Sequence, residues 1–247
     1  MKTGQGWKWG LALLLLGLMI GLLGVVSWQG TASGDAFLTS HVGRMAVKLL
    51  LVGVSLGTWF LTQALIGSRG DHEGKIGDLL HDLTTPWNVW LQNHPRPTNA
   101  LLIVSSALID FFAIFLIGAG LFGQTLRPFI ALLILFAFRQ LCQALCALPV
   151  PPGMIWRNPG FPSLLVTYGV YNDFFISGHT AIAVLGAIEV CHQLPVWCGI
   201  TAGVVALLEG SVVIILRAHY TMDVLGAIVA AFCAAGLAGY LCQSFGV

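Results

Sequence analysis

The chain has 247 residues, of which 57% are hydrophobic and only 9% charged, with a formal net charge of +1 and a mean hydropathy of +0.88. A water-soluble domain of this length needs more charged surface, and so small a net charge leaves no basic footprint for nucleic acid. The fold class that remains is all-α: a polytopic membrane helical bundle with short loops.

Runs of transmembrane length with at most one charged residue each mark seven apolar segments, at 10–28, 46–67, 100–123, 128–148, 177–194, 196–216 and 222–242. The first follows Lys2 and Lys8 and precedes "GTASGDA", as a signal peptide with small residues near its cleavage site would. It is also long enough to span as an anchor. Residues 1–30 are therefore read as an N-terminal transmembrane anchor or signal-like segment, and 31–247 as a membrane domain with a six-helix core.

The longest polar stretch, "SRGDHEGKIGDLLHDLTTPWNVWLQNHPRPTN", joins the second and third segments. Its middle has apolar residues at helical spacing, followed by Trp87 and Trp90. The spacing predicts an amphipathic helix in the membrane interface. Asp78, His81 and Asp82 admit a reading as metal ligands; the simpler reading is a solvated polar face. The six cysteines (142, 146, 191, 198, 233 and 242) sit in or beside apolar runs without CxxC spacing. They read as small packing residues, not as a disulfide framework or zinc site. Residues 148–173, "LPVPPGMIWRNPGFPSLLVTYGVYND", hold five of the ten prolines, which predicts a stiff, shaped loop.

Ionisable side chains are costly in hydrocarbon, so Asp110, Arg139 and Glu209 stand out inside apolar segments. One reading is a buried ion pair such as Asp110 with Arg139. The other is function, toward which Arg139 tilts. It lies about 14 Å along the helix from the loop at Leu148, at 1.5 Å per residue. Its guanidinium can snorkel toward that end and grip a phosphate through paired hydrogen bonds.

Two short motifs carry the chemistry. "FFISGHTA" (174–181) places His179 at the start of the fifth segment, and "ILRAHYTMDVLGA" (215–227) places His219 at the start of the seventh. Segment five crosses and segment six returns, so both histidines reach the same membrane face. There, helix N-termini favour anions. Asp223, four residues after His219, can hold one ring N–H and leave the other nitrogen as a nucleophile. With Arg139 and Arg217, this is a site for a tetrahedral phosphate. Ser177 reads as an N-cap or as a supporting residue.

"SGHT" at 177–180 and "HYTMDV" at 219–224 resemble the paired catalytic motifs of sphingomyelin synthases, within the type 2 phosphatidic acid phosphatase (PAP2) superfamily. "FFISGHT" and "RAHYTMDV" are equally similar to the plant phosphatidylcholine:diacylglycerol cholinephosphotransferases. "FRQLCQALCALPVPPGM" (138–154) resembles the family's arginine-bearing helix running into a proline-rich loop. In the lipid phosphatases of the superfamily an arginine precedes the second histidine by six residues. Here Arg217 precedes His219 by two, and "LRP" (126–128) lies at the other end of its segment, which favours the transferase branch.

The resemblance implies a PAP2-like six-helix core plus an extra N-terminal helix, and phosphocholine transfer from a phospholipid to a lipid alcohol, ceramide or diacylglycerol. It implies a phosphohistidine at His219, oriented by Asp223. His179 would serve as acid and then base, and Arg139 and Arg217 would bind the phosphate. Asp173 and Ser177 would support them, with no metal and no cofactor. Aromatics near the loop (Trp156, Tyr168, Tyr171, Phe174 and Phe175) could enclose a choline ammonium. The alternatives are a lipid phosphate phosphatase or phospholipase C-type hydrolase, and a non-enzymatic lipid binder. The partners expected are a phospholipid donor, a lipid alcohol acceptor and the surrounding membrane lipids. Lys2, Lys8, Arg69, Lys75, Arg96, Arg157 and Arg217 fall on the site's side of seven spans, which by the positive-inside rule is cytoplasmic. The resemblance implies an exoplasmic site instead.

Overall fold

A computed structural model describes residues 17, 18, 21, 40–68, 74, 76–168 and 173–245. Apart from three positions, the expected anchor or signal-like segment 1–30 lies outside these residues, as does Tyr171. The described residues form helices α1 (His41–Gly67), α2 (Leu79–Asn93), α3 (Pro95–Phe122), α4 (Arg127–Leu145), α5 (Gly178–Gln193), α6 (Val196–Ile215) and α7 (Thr221–Phe245), with no strand among them.

The helix ends follow from local chemistry. Ser40 accepts a hydrogen bond from Gly43 N–H and starts α1 five residues ahead of the apolar run. Pro95 opens α3, where its missing N–H costs nothing. The prolines that begin at Pro149 stop α4 at Leu145, short of the expected 148. Pro195 separates α5 from α6.

Five helices (α1, α3, α4, α6 and α7) are long and apolar enough to cross a membrane, so the chain is a multi-pass membrane protein. The sixth, α5, is the exception. Its 16 residues span only about 24 Å at 1.5 Å per residue. It lies in the centre of the bundle, against α3, α4, α6 and α7. Gly186 permits the approach to α3, because a Cβ there would sit 2.3 Å from the Phe112 ring. Ala227, Ala231, Ala234 and Ala238 line the buried face of α7, where small side chains let helices close up.

Polar groups tie the helices internally. Arg127 pairs with the buried Glu189 at 3.2 Å, and Lys48 donates to Gly120 O and Leu121 O at the end of α3. Asp110 does not pair with Arg139. Its two carboxylate oxygens accept Leu164 N–H (2.7 Å) and Leu165 N–H (3.0 Å), which pins the proline-rich loop to α3. Glu209 accepts a hydrogen bond from Ser105 at 2.6 Å.

The expected amphipathic helix is present as α2; Asp82 is exposed, as a solvated face would have it, but other polar residues turn inward. His81 and Asn88 are buried, whereas Leu79, Leu83, Trp87 and Trp90 are exposed. A helix between protein and lipid turns its hydrogen-bonding side inward and its apolar side outward.

Candidate active site

The two motifs meet at one end of the bundle. Ser177 is the N-cap of α5: its Oγ accepts from Thr180 N–H and from the Thr180 hydroxyl. His179 follows in the first turn, buried. Ser177 N–H in turn donates to Asp223 O (3.2 Å), which joins the start of α5 to the start of α7.

Asp223 occupies the first turn of α7 and is fully buried. Its Oδ2 accepts Tyr220 N–H (3.1 Å), the reach-back half of a capping box, and also Nδ1–H of His219 (3.2 Å). A carboxylate oxygen only accepts, so Nδ1 carries the proton and Nε2 the lone pair. The spacing of four therefore works as read, although His219 itself precedes the helix.

Both motifs are entered through strained backbone. Among the described residues the only non-glycine positions with positive φ are Phe175 (φ 111) and Arg217 (φ 55), each just ahead of a histidine. Arg217 takes the left-handed position that ends α6. Arg217 N–H donates to Ile214 O and Ala218 N–H to Val213 O, a Schellman pattern usually built on glycine. The guanidinium holds the turn by donating to Pro152 O (2.8 Å), His81 O (3.0 Å) and Thr85 Oγ1 (2.7 Å). It is thus committed to loop and helix, away from the cavity where the sequence reading had placed it. Arg217→Gly relieves the backbone strain and Arg217→Ala does not. Both lose the three bonds, so thermal unfolding should find the glycine variant more stable by about 1 kcal/mol.

Arg139 is the hub of the site. Its Nε donates to Ile176 O (3.0 Å), Nη1 to Gln63 Oε1 (3.2 Å) and Nη2 to Asp173 Oδ2 (3.1 Å). Gln63 also donates to Asp173 and accepts from Gln140, and the Gln143 amide donates to Asp173 O. A guanidinium has five N–H donors, so two remain beyond these bonds.

His179, His219, Arg139, Asp173 and Gly178 line one cavity of about 50 Å³ with Phe136, Trp156, Phe174 and the loop residues Met154 and Leu165–Thr167. The loop is tied down on both sides. Ile155 N–H donates to Leu216 O, the Tyr220 hydroxyl to Pro149 O, and Trp156 Nε1–H to Thr167 O. Trp156 meets the His179 ring edge-on at 5.1 Å. His179 Nε2 is buried and has no hydrogen-bond partner.

Of the residues singled out from sequence, His179, His219, Arg139, Asp173, Trp156 and Phe174 line the cavity. Asp223 and Ser177 stand directly behind it. Phe175 turns away into an apolar groove with Ile176 and Phe138 on the lipid side, and the Tyr168 hydroxyl bonds to Ser106. Sequence reasoning missed Gln63 and Gln143. The available signal was an amide inside an apolar run, with Gln143 one turn from Arg139 on the same face.

These features define a multi-pass helical membrane protein with a buried two-histidine, one-arginine cavity at one end of its bundle. A family model described as AtPDCT1/2, the phosphatidylcholine:diacylglycerol cholinephosphotransferases, matches residues 77–240. The chain belongs to this family, whose members are membrane enzymes that transfer phosphocholine between phosphatidylcholine and diacylglycerol. No curated protein and no solved structure matches significantly.

Proposed function

We propose that this protein moves the phosphocholine group of phosphatidylcholine to a lipid alcohol through a phosphohistidine on His219. The observation that carries the proposal is the convergence of His179, Arg139 and an Asp223-oriented His219 on one buried cavity. Nε2 of His219 attacks the headgroup phosphorus, and the bond from phosphorus to the diacylglycerol oxygen breaks. His179 delivers a proton to that oxygen. In the second half, an incoming hydroxyl gives its proton to His179, its oxygen bonds to phosphorus, and the P–N bond to His219 breaks. Developing charge on the phosphoryl oxygens is met by the two free N–H groups of Arg139 and by the N-terminus of α5.

Diacylglycerol is the acceptor that fits the family, and ceramide is the rival acceptor. On this reading residues 31–247 form a PAP2-like catalytic domain akin to the sphingomyelin synthases. The aromatic wall suits a quaternary ammonium, with Trp156 and Phe174 as the faces nearest the two histidines.

The test uses the purified full chain in vesicles with headgroup-labelled phosphatidylcholine, with and without diacylglycerol or ceramide. Label appearing in a new acceptor lipid supports transfer. Free phosphocholine or phosphate indicates a hydrolase, and no turnover of any kind overturns the proposal. In the same assay Trp156→Ala should raise the donor KM by about 2- to 30-fold, the range of a cation–π contact, and lower kcat by less. An unchanged donor KM removes Trp156 from headgroup binding.

A further inference from the structure

The buried edge of α2 grips the segment that presents His219. Asn88 Nδ2–H donates to Ile215 O (2.9 Å), Arg217 donates to His81 O and Thr85, and Nε2–H of His81 donates to His219 O (2.9 Å). Asp78 accepts Thr221 N–H on one oxygen and the Thr221 hydroxyl on the other, both at 2.6 Å. Alternate residues 215, 217, 219 and 221 are thus held by one helix from outside the bundle. The Asp78 carboxylate also caps α2 itself, through Leu80 N–H and His81 N–H, so one side chain starts two helices. The His81 ring stacks on Tyr220 at 5.5 Å.

We infer that Asp78 and His81 are positioning residues that set the height and tilt of His219 from the membrane-surface helix α2; this rests on the proposed role of His219 as nucleophile. The Schellman turn and the proline-rich loop also hold residues 216–220, through Leu216 O, Arg217 and the Tyr220 hydroxyl, but the bonds to His219 O and to Thr221 come from this clamp. No residue of α2 lines the cavity. The clamp therefore stands outside the cavity and acts through the segment 215–221 that carries His219. Burial pushes the Asp78 carboxyl up, but the Thr221 and His81 hydrogen bonds outweigh it and hold the group below its ordinary value. It therefore stays ionised and a strong acceptor at neutral pH. The exposed edge of α2 carries Trp87 and Trp90, which suit the headgroup layer and hold the clamp at that depth.

The role predicts a split that a merely structural residue would not give. His81→Ala and Thr221→Val remove one clamp bond each. They should lower kcat by about 10- to 100-fold, the cost of a reacting group misplaced by an ångström. The donor KM should stay at its wild-type value. His81→Gln returns an N–H donor at the same reach, and Thr221→Ser returns the hydroxyl; both should recover most of the rate. The measurement is kcat and donor KM for the full chain in phosphatidylcholine vesicles, with thermal unfolding of each variant alongside. Wild-type kcat in His81→Ala and Thr221→Val, or equal losses in the Gln and Ser variants, overturns the inference. So does a rise in KM that accounts for the loss. If His81→Ala does not fold, the Thr221 pair decides alone. His219→Ala in the same series separates the two ideas: activity there defeats the nucleophile reading, whereas an inactive His219→Ala beside active clamp variants defeats only this inference.

Discussion

Replacing His219 with alanine should abolish transfer, with a loss on the order of 10³-fold or more, because His219 is the ring that Asp223 orients for attack. The wild-type protein incubated with headgroup-labelled phosphatidylcholine and no acceptor should retain label. His219→Ala should retain none. The fold should persist, since the ring makes one side-chain hydrogen bond, to Asp223. Asp223 keeps its bond from Tyr220 N–H in the variant. The stability cost is then that of one lost partner at a buried carboxylate, about 1 to 3 kcal/mol. Full activity in the variant would eliminate His219 as the nucleophile, and label retained without His219 would place the intermediate elsewhere.

Arg139→Ala should lose both activity and stability. The guanidinium is buried and holds three acceptors on three different segments: Gln63 of α1, Asp173 of the loop and Ile176 ahead of α5. Its removal leaves the part-buried Asp173 carboxylate with the Gln63 amide but no countercharge, and about 3 to 5 kcal/mol, the cost of breaking a buried pair from one side, is the upper limit. Arg139→Lys should not rescue, because a single ammonium cannot replace a planar fork aimed at three acceptors. The double variant Arg139→Ala with Asp173→Ala should recover part of the thermal stability, since no orphaned charge remains. It should recover none of the transfer rate, because the phosphate donors are still absent. Recovery of activity in the double variant would show that Arg139 serves only to neutralise Asp173.

The sequence was informative wherever one helix or one short motif contains the whole cause. Apolar runs of spanning length mark the helices of the bundle, and proline and capping residues bound them to within a few positions. Antiparallel crossing of two consecutive segments brings "SGHT" and "HYTMD" to one end. The i, i+4 relation of His219 and Asp223 is local. Arg139 stood out because a charge in an apolar run is costly enough to need a partner. Its partner did not: Asp110, the nearest candidate among the apolar runs, caps the loop instead, and Asp173 arrives from the end of that loop.

The α2 helix shows the limit most directly. By periodicity, the residues of "GDLLHDLTTPWNVW" divide into a polar and an apolar face, and in water the polar face would look outward. Beside a bilayer the rule reverses, because lipid accepts the apolar face while only protein can satisfy the hydrogen bonds of Asp78, His81 and Asn88. Arg217 is a parallel case. Its position two residues before His219 suggested a phosphate ligand, but its left-handed backbone and three protein acceptors make it the pin of the α6–α7 turn. What the sequence alone determined was the helical membrane class, the two histidine motifs and the end of the bundle where they gather. Only the tertiary structure decided which polar side chain answers which. Such partners lie up to 143 residues apart, as Asp78 and Thr221 do, and are selected by packing angles that no local spacing encodes.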